Sequence, residues 1–233
     1  DHRDLHSFPT RRSSDLDVKG MRIGVIKEIM EADHLHPEVQ ARVAEALRRF
    51  EGLGAIVEEV SLPMIKLTNI ISGTGGSDRT ALQWKNLMEN PHQYDVASRR
   101  FNLLPGLIPG SIYQRTLQLR SLYRRQVLDA CERYDILVTP SQPTPPPSIA
   151  DTKKPLLSRE QAMNDLKAFS FSNAAAIAGI PAISVPCGFT GDGLPVGLQI
   201  MAKRYDEETV FRAAFAYEQN TSWHTMRPPV GDN

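Results

Sequence analysis

The chain has 233 residues, with 27 Lys and Arg against 27 Asp and Glu, so its formal net charge is zero. That balance gives no electrostatic footprint for nucleic acid or an anionic membrane surface. Two cysteines, Cys131 and Cys187, do not build a disulfide scaffold and suit a reducing, cytoplasmic setting, and no apolar run approaches the roughly 20 residues that a membrane span needs.

Residues 1–16, Asp1 to Leu16, read codon by codon as the in-frame translation of a short-read sequencing adapter. They are set aside as a non-native segment. Three Arg and three Asp leave with them, so the zero balance persists. Genuine sequence is expected over 17–233, as the C-terminal portion of a longer protein, which leaves a signal peptide an open question.

Met21 to Ile26 reads as a buried strand. Pro37 then suits a first helical turn, and Val39, Val43, Leu47 and Phe50 recur on one helical face. Gly52 and Gly54 end that helix before a second strand, Ala55 to Val60. Strand, helix and strand in this order make a β-α-β unit and a sheet that is at least partly parallel.

Residues 64–110 read less clearly. Leu82, Leu87 and Met88 suggest a helix broken at Asn90-Pro91-His92, and Pro105 and Pro109 bracket a loop. A long helix is expected from Ser111 to Arg133. Ile112, Leu119, Leu122, Tyr123 and Val127 mark its inner face, and Arg115, Arg120, Arg124 and Arg125 its exposed side. Tyr134 to Pro140 is a buried strand, and Pro140 to Pro155 an extended loop. A helix over 158–178 follows. Ala182 to Phe189 and Pro195 to Met201 form a hairpin turned at Gly191-Asp192-Gly193. Asp206 to Gln219 is a last amphipathic helix with Val210, Phe211, Ala214 and Tyr217 inward. The fold class is α/β, an α/β/α sandwich on a mixed central sheet that is expected to be incomplete.

Gly73-Thr74-Gly75-Gly76-Ser77-Asp78 invites comparison with an oxyanion loop, whose glycines let backbone N–H groups approach a developing charge. It lacks paired serines and a following Gly-Lys-Ser, and reads as a plain flexible loop. Lys27 to Ala32 holds no glycine, which removes a dinucleotide-binding reading of the β-α-β unit. His34 and His36 lack further ligands to complete a metal site and read as a polar loop. Cys187 has no base nearby in sequence and reads as a small buried residue. Ser172 and Asn173 stand in an otherwise apolar helix, either as a satisfied polar pair or facing a substrate pocket.

The stretch Ala178-Gly179-Ile180-Pro181-Ala182-Ile183-Ser184-Val185-Pro186-Cys187-Gly188, with Gly193-Leu194-Pro195-Val196-Gly197-Leu198-Gln199, resembles the C-terminal core of the amidase-signature hydrolases. Tyr134 to Pro140 and Val60-Ser61-Leu62-Pro63 match as well. The resemblance implies a cofactor-free amidase that hydrolyses a small carboxamide to acid and ammonia. It does so through a Ser–Ser–Lys triad whose three members all fall upstream of Asp17 in the family's order. None can be carried onto this chain, and Lys19, Lys27, Ser61 and Ser77 do not stand in the required motifs. No catalytic residue and no metal ligand is therefore assigned, and the chain alone is expected to be inactive.

The resemblance places Ser172 and Asn173 near the acyl cleft. It adds Ala176, where the family often has asparagine, and Phe169, where the A subunits of tRNA-dependent amidotransferases usually have an aspartate. Those subunits are also glutamate-rich near 72–78, where this chain has glycines. Both departures favour a general amidase over an amidotransferase A subunit, which is the alternative. Its partners would be amidotransferase subunits rather than only a small amide substrate. A homodimer is left open, and a non-catalytic α/β binding module is a third reading.

Overall fold

The computed structural model describes residues 16–152, 171 and 173–227. Among these residues five strands form one mixed sheet: β1 (Arg22–Ile26), β2 (Ile56–Val60), β3 (Ile136–Pro140), β4 (Ala182–Phe189) and β5 (Pro195–Ala202), in the order β2-β1-β3-β5-β4. β1 runs parallel to both β2 and β3, and β5 runs antiparallel to β3 and β4. The helices are α1 (Lys27–Met30), α2 (Pro37–Gly52), α3 (Thr68–Glu89), α4 (Val96–Leu103), α5 (Gly110–Cys131), α6 (Ile149–Thr152), α7 (Asn173–Ala178) and α8 (Glu207–Gln219). The α/β class, the parallel start and the antiparallel hairpin are as the sequence implies.

The element ends have local causes. Pro37 opens α2, and His36 caps it by accepting from the Glu38 amide. Thr190 and Leu194 close the β4–β5 turn, in which Gly193 has φ +78, a conformation that glycine adopts without strain. Side chains alternate across the sheet, so Val25, Val138, Ile200 and Ile183 line one face. Helices α2 and α8 pack there, joined by Phe50 stacked on Tyr217 at 5.4 Å between ring centroids. On the other face, Tyr134 packs against Gly24 and Leu137, beside a second layer made of α3, α5 and α7. The buried Tyr123 hydroxyl of α5 donates to the Ala174 carbonyl of α7 at 3.1 Å and ties that layer together.

Three expectations need correction. Gly73 to Asp78 is not a loop: it lies inside the 22-residue helix α3. Ile112 and Leu122 of α5 are exposed, while Thr116 joins Tyr123 and Val127 inside. Phe211 points outward from α8, at 63% exposure, and Ala213 takes the inward place. The helix expected over 158–178 is seen as α7, the rest of it lying outside the described residues.

The β2 exit is clamped by Glu28, which accepts from Ser61 Oγ and from the Leu62 amide. Burial pushes the Glu28 carboxyl up, but these two hydrogen bonds and the Lys66 charge outweigh it and hold the carboxyl below its ordinary value. A carboxyl depressed in the folded state stabilises above its unfolded pKa, and that contribution fades as pH falls through the folded value. Glu28→Gln is therefore expected to lower Tm more at about pH 7 than at about pH 3. Melting curves at the two values check this, and an equal Tm loss at both would remove the clamp.

Candidate active site

Helix α3 carries Ser72, Gly75, Gly76 and Arg79 on one face, spaced i, i+3, i+4 and i+7. Three features hold that face in place. Ser77 Oγ donates to the Pro105 carbonyl at 2.8 Å, and Thr80 Oγ1 donates to the Asn102 carbonyl. A Cβ on Gly76 would stand 2.7 Å from Pro105 Cγ, so only glycine admits that ring. Across from α3, α5 presents Tyr113, Thr116 and Arg120, and α7 presents Asn173, Ala176 and Ile177. The three helices enclose a cavity of about 270 Å³.

The polar groups around it are anchored. The Tyr113 hydroxyl donates to Asp78 Oδ1 at 2.7 Å, and that bond holds the phenol above its ordinary pKa. Arg79 donates to the Phe101 carbonyl at 3.1 Å and lies 3.8 Å over the Phe101 ring centroid. Arg120 Nε donates to the Ile177 carbonyl at 3.2 Å, which fixes the guanidinium at the rim between α5 and α7. Its two terminal nitrogens have no partner among the described residues and can meet an anionic group in a bidentate fork.

A larger, more open groove of about 570 Å³ lies between α2 and the β1–β2 edge. Its Lys27 pairs with Glu31 at 3.6 Å, and neither Asn173 nor Ala176, the two candidate pocket residues that the structure describes, lines it.

Asn173 and Ala176 thus come together on the α7 wall of one cavity. Phe169 and Ser172 lie outside the described residues. Arg120 stands at the pocket rim as well as in solvent, a position that one helix's polarity did not reveal. Arg79, Tyr113 and Thr116 were missed, although the spacing of Ser72, Gly76 and Arg79 on one helical face held the signal.

Among the described residues, the serines and the cysteine weighed above as nucleophiles are otherwise engaged. Ser61 donates to Glu28 and Ser77 to Pro105. Cys187 is 1% exposed, and burial pushes its thiol up to about 12, so it is no thiolate at neutral pH. His36 caps α2, and His34 lies against Phe171 with ring centroids 5.4 Å apart. Among the described residues no three His, Cys, Asp or Glu converge as metal ligands, and no described helix is long and apolar enough to cross a membrane.

The five-stranded mixed sheet layered with helices, three of which line the smaller cavity, is an α/β fold of the kind that amidase-signature enzymes have. The chain belongs to the amidase-signature family: the family model described as Amidase matches residues 2–211. It is similar to the A subunit of the Glutamyl-tRNA(Gln) amidotransferase of Methanosarcina mazei, 36% identical over 91% of this chain and 48% of that protein. The A subunit from Halalkalibacterium halodurans is 35% identical over 92% and 48%. The crystal structure of the Thermotoga maritima A subunit superposes with a TM-score of 0.67 at 29% identity, covering 88% of this chain and 43% of that one. A bacterial aryl acylamidase of the amidase-signature family shares the fold, with a TM-score of 0.69 at 22% identity over 91% and 46%. The chain spans about half the length of the curated relatives it matches.

Proposed function

We propose that this chain supplies the acyl-pocket part of an amidase that hydrolyses a small carboxamide to acid and ammonia. The observation that carries this is the convergence of Asn173, Ala176 and Arg79 on one cavity of about 270 Å³. That is near the lower end of ligand pockets, roughly 300 Å³, and suits a small acyl group. In this reading the nucleophilic serine, the relay serine and the lysine base come from the half of the family's length that this chain does not span. The lysine takes the proton, the serine oxygen attacks the amide carbon, and ammonia leaves with that proton. Water then hydrolyses the acyl-enzyme. The role of the present residues is to hold the acyl group and exclude water. A cytoplasmic location goes with this reading.

A second reading, the A subunit of a tRNA-dependent amidotransferase, is favoured by the 36% identity to the Methanosarcina mazei relative. Arg120 supports it, because a guanidinium at the rim suits an amide whose acyl group ends in a carboxylate. The glycines at 73, 75 and 76 and Phe169 still favour the general amidase.

The test is amide hydrolysis by the 233-residue chain alone and with the complementary half of a relative. We expect no turnover alone and turnover with the second half; turnover alone would sink the proposal. In the active pair, Arg120→Met is expected to raise KM for glutamine by about 10–100-fold under the second reading, the loss of a hydrogen bond to a charged group. Under the first reading it leaves KM for acetamide or propionamide within about twofold.

A further inference from the structure

Helix α3 has a second face. Ile70, Gly73, Ser77, Ala81, Trp84 and Met88 step along it by three or four residues, so they form one stripe. At about 100° of turn per residue that stripe points away from Ser72, Gly75 and Arg79, which line the cavity. Its large members stand half in solvent: Ile70 is 55% exposed, Trp84 54% and Met88 49%. Gly73 and Ala81 are exposed between them, and nothing lies within 4 Å of a Cβ built on Gly73. No charged side chain interrupts the stripe.

The stripe is its own complement. Small residues fill its middle and large ones its ends, and the spacing is symmetric about Ser77. Gly73 and Ala81 lie four residues to either side of it, and Ile70 and Trp84 seven. Two copies of α3 packed antiparallel across a two-fold axis at Ser77 set Trp84 of each opposite Ile70 of the other, and Ala81 opposite Gly73. The small pairs let the helix axes come to the near end of the usual separation of about 8–10 Å, which brings the outer side chains into contact. Ser77 at the axis brings no unsatisfied hydroxyl, because it already donates to the Pro105 carbonyl. In the same register Lys85 faces Asn69 and Asp78 faces Gly76, so no like charges meet.

That symmetry decides the occupant. An unrelated helix gives no reason for spacing that reads the same in both directions, whereas a two-fold contact requires it. The area fits a weak dimer. Three half-exposed side chains of this size, with the small residues between them, leave roughly 400 Å² of apolar surface per copy, the size of a functional patch on a monomer. Two copies then bury about 800–1,000 Å², at the small, transient end of specific interfaces. Helix α3 also gains from the contact. Gly73, Gly75 and Gly76 weaken it as a helix, and such a segment depends on packing along its length.

We propose that this face of α3 is a self-association surface, on which a second copy of the chain seats its own α3 antiparallel about Ser77. The contact braces the cavity wall from behind, since the opposite face of the same helix lines the cavity.

The test is sedimentation of the 233-residue chain at about 1–300 µM, with tryptophan emission followed over the same range. We expect a reversible monomer–dimer equilibrium in the micromolar range and a blue shift as Trp84 leaves water. Ile70→Glu and Trp84→Lys should each raise Kd by at least about tenfold. The double variant should return to within about threefold of the parent, because the two new charges oppose one another across the axis. Leu82→Lys, at a position 83% exposed on another side of α3, should leave Kd unchanged. All of these positions are exposed, and circular dichroism checks that each variant keeps the parent fold. A monomer throughout, a dimer indifferent to both single variants, or a loss that the double variant does not recover overturns the proposal. Joined to the complementary half of the Methanosarcina mazei relative, the chain is expected in a two-plus-two assembly. A one-to-one complex in which Trp84 emission is shifted to the blue gives the face to that half and overturns the proposal.

Discussion

Phe50→Ala is expected to destabilise the chain by about 3–5 kcal/mol, the usual cost of truncating a fully buried aromatic. Phe50 is 0% exposed at the end of α2, and its ring stacks on Tyr217 of α8 at an interplanar angle of 26°. The two helices cover one face of the sheet, and the Phe50–Tyr217 pair is where they meet. The loss combines the transfer term with a cavity that Tyr217 and the surrounding sheet can only partly close. Against a typical domain stability of about 5–15 kcal/mol, the variant is left marginal. Urea unfolding followed by far-ultraviolet circular dichroism measures it. A fall in midpoint at constant slope is expected, and a cost below about 1 kcal/mol would mean that α2 and α8 do not share this contact.

The glycines of α3 give the second large effect, with opposite signs at adjacent positions. Nothing lies within 4 Å of a Cβ built on Gly73 or Gly75, so Ala at either is expected to stabilise by about 0.5–1 kcal/mol through helix propensity alone. At Gly76 the same atom would meet Pro105 Cγ at 2.7 Å and Cβ at 2.9 Å, and a proline ring cannot swing aside. Gly76→Val should cost about 1–3 kcal/mol by overpacking and push α3 away from the segment carrying Pro105. Because Gly76 also lines the cavity, the variant should narrow or distort the site in a way that Gly73→Ala does not. Paired thermal melts of the three variants check the signs, and equal shifts would contradict the close approach.

Those glycines also show what the sequence could and could not disclose. The β4–β5 hairpin was legible because apolar residues on both sides of Gly191-Asp192-Gly193 need no distant information to turn back on themselves. Helix α2 was legible for a similar reason, since Pro37 and the run Val39, Val43, Phe50 state its start and its buried face. Helix α3 was not, because local propensity argues against a helix through Gly73, Gly75 and Gly76. Contacts with Pro105 and Asn102, farther along the chain, override it. Periodicity likewise gave α5 and α8 their helical character but put Ile112, Leu122 and Phe211 on the wrong side, because it does not say how wide the partner surface is. The cavity was half visible: Asn173 and Ala176 followed from a family pattern. Arg79 and Arg120 enter it only because three helices from distant parts of the chain converge.

The order of the strands carries a consequence for how the chain reaches this structure. β1 lies between β2, which follows it closely, and β3, which follows only after the whole α3–α5 layer. Ile23 pairs with Ile136, and the Arg22 amide donates to Asp135 across 113 residues of chain. On a ribosome, β1 and β2 would emerge together and then wait, with one flank of β1 open, until β3 was free. The loop to be closed is long and the pairing parallel, both of which slow folding. The β5–β4 hairpin, whose two strands are neighbours in sequence and pair directly with each other, can form its own ladder quickly once it is released. Refolding should therefore show a fast phase in the hairpin and a slower one when β1 finds β3, with hydrogen-exchange pulse labelling separating the two by their amides.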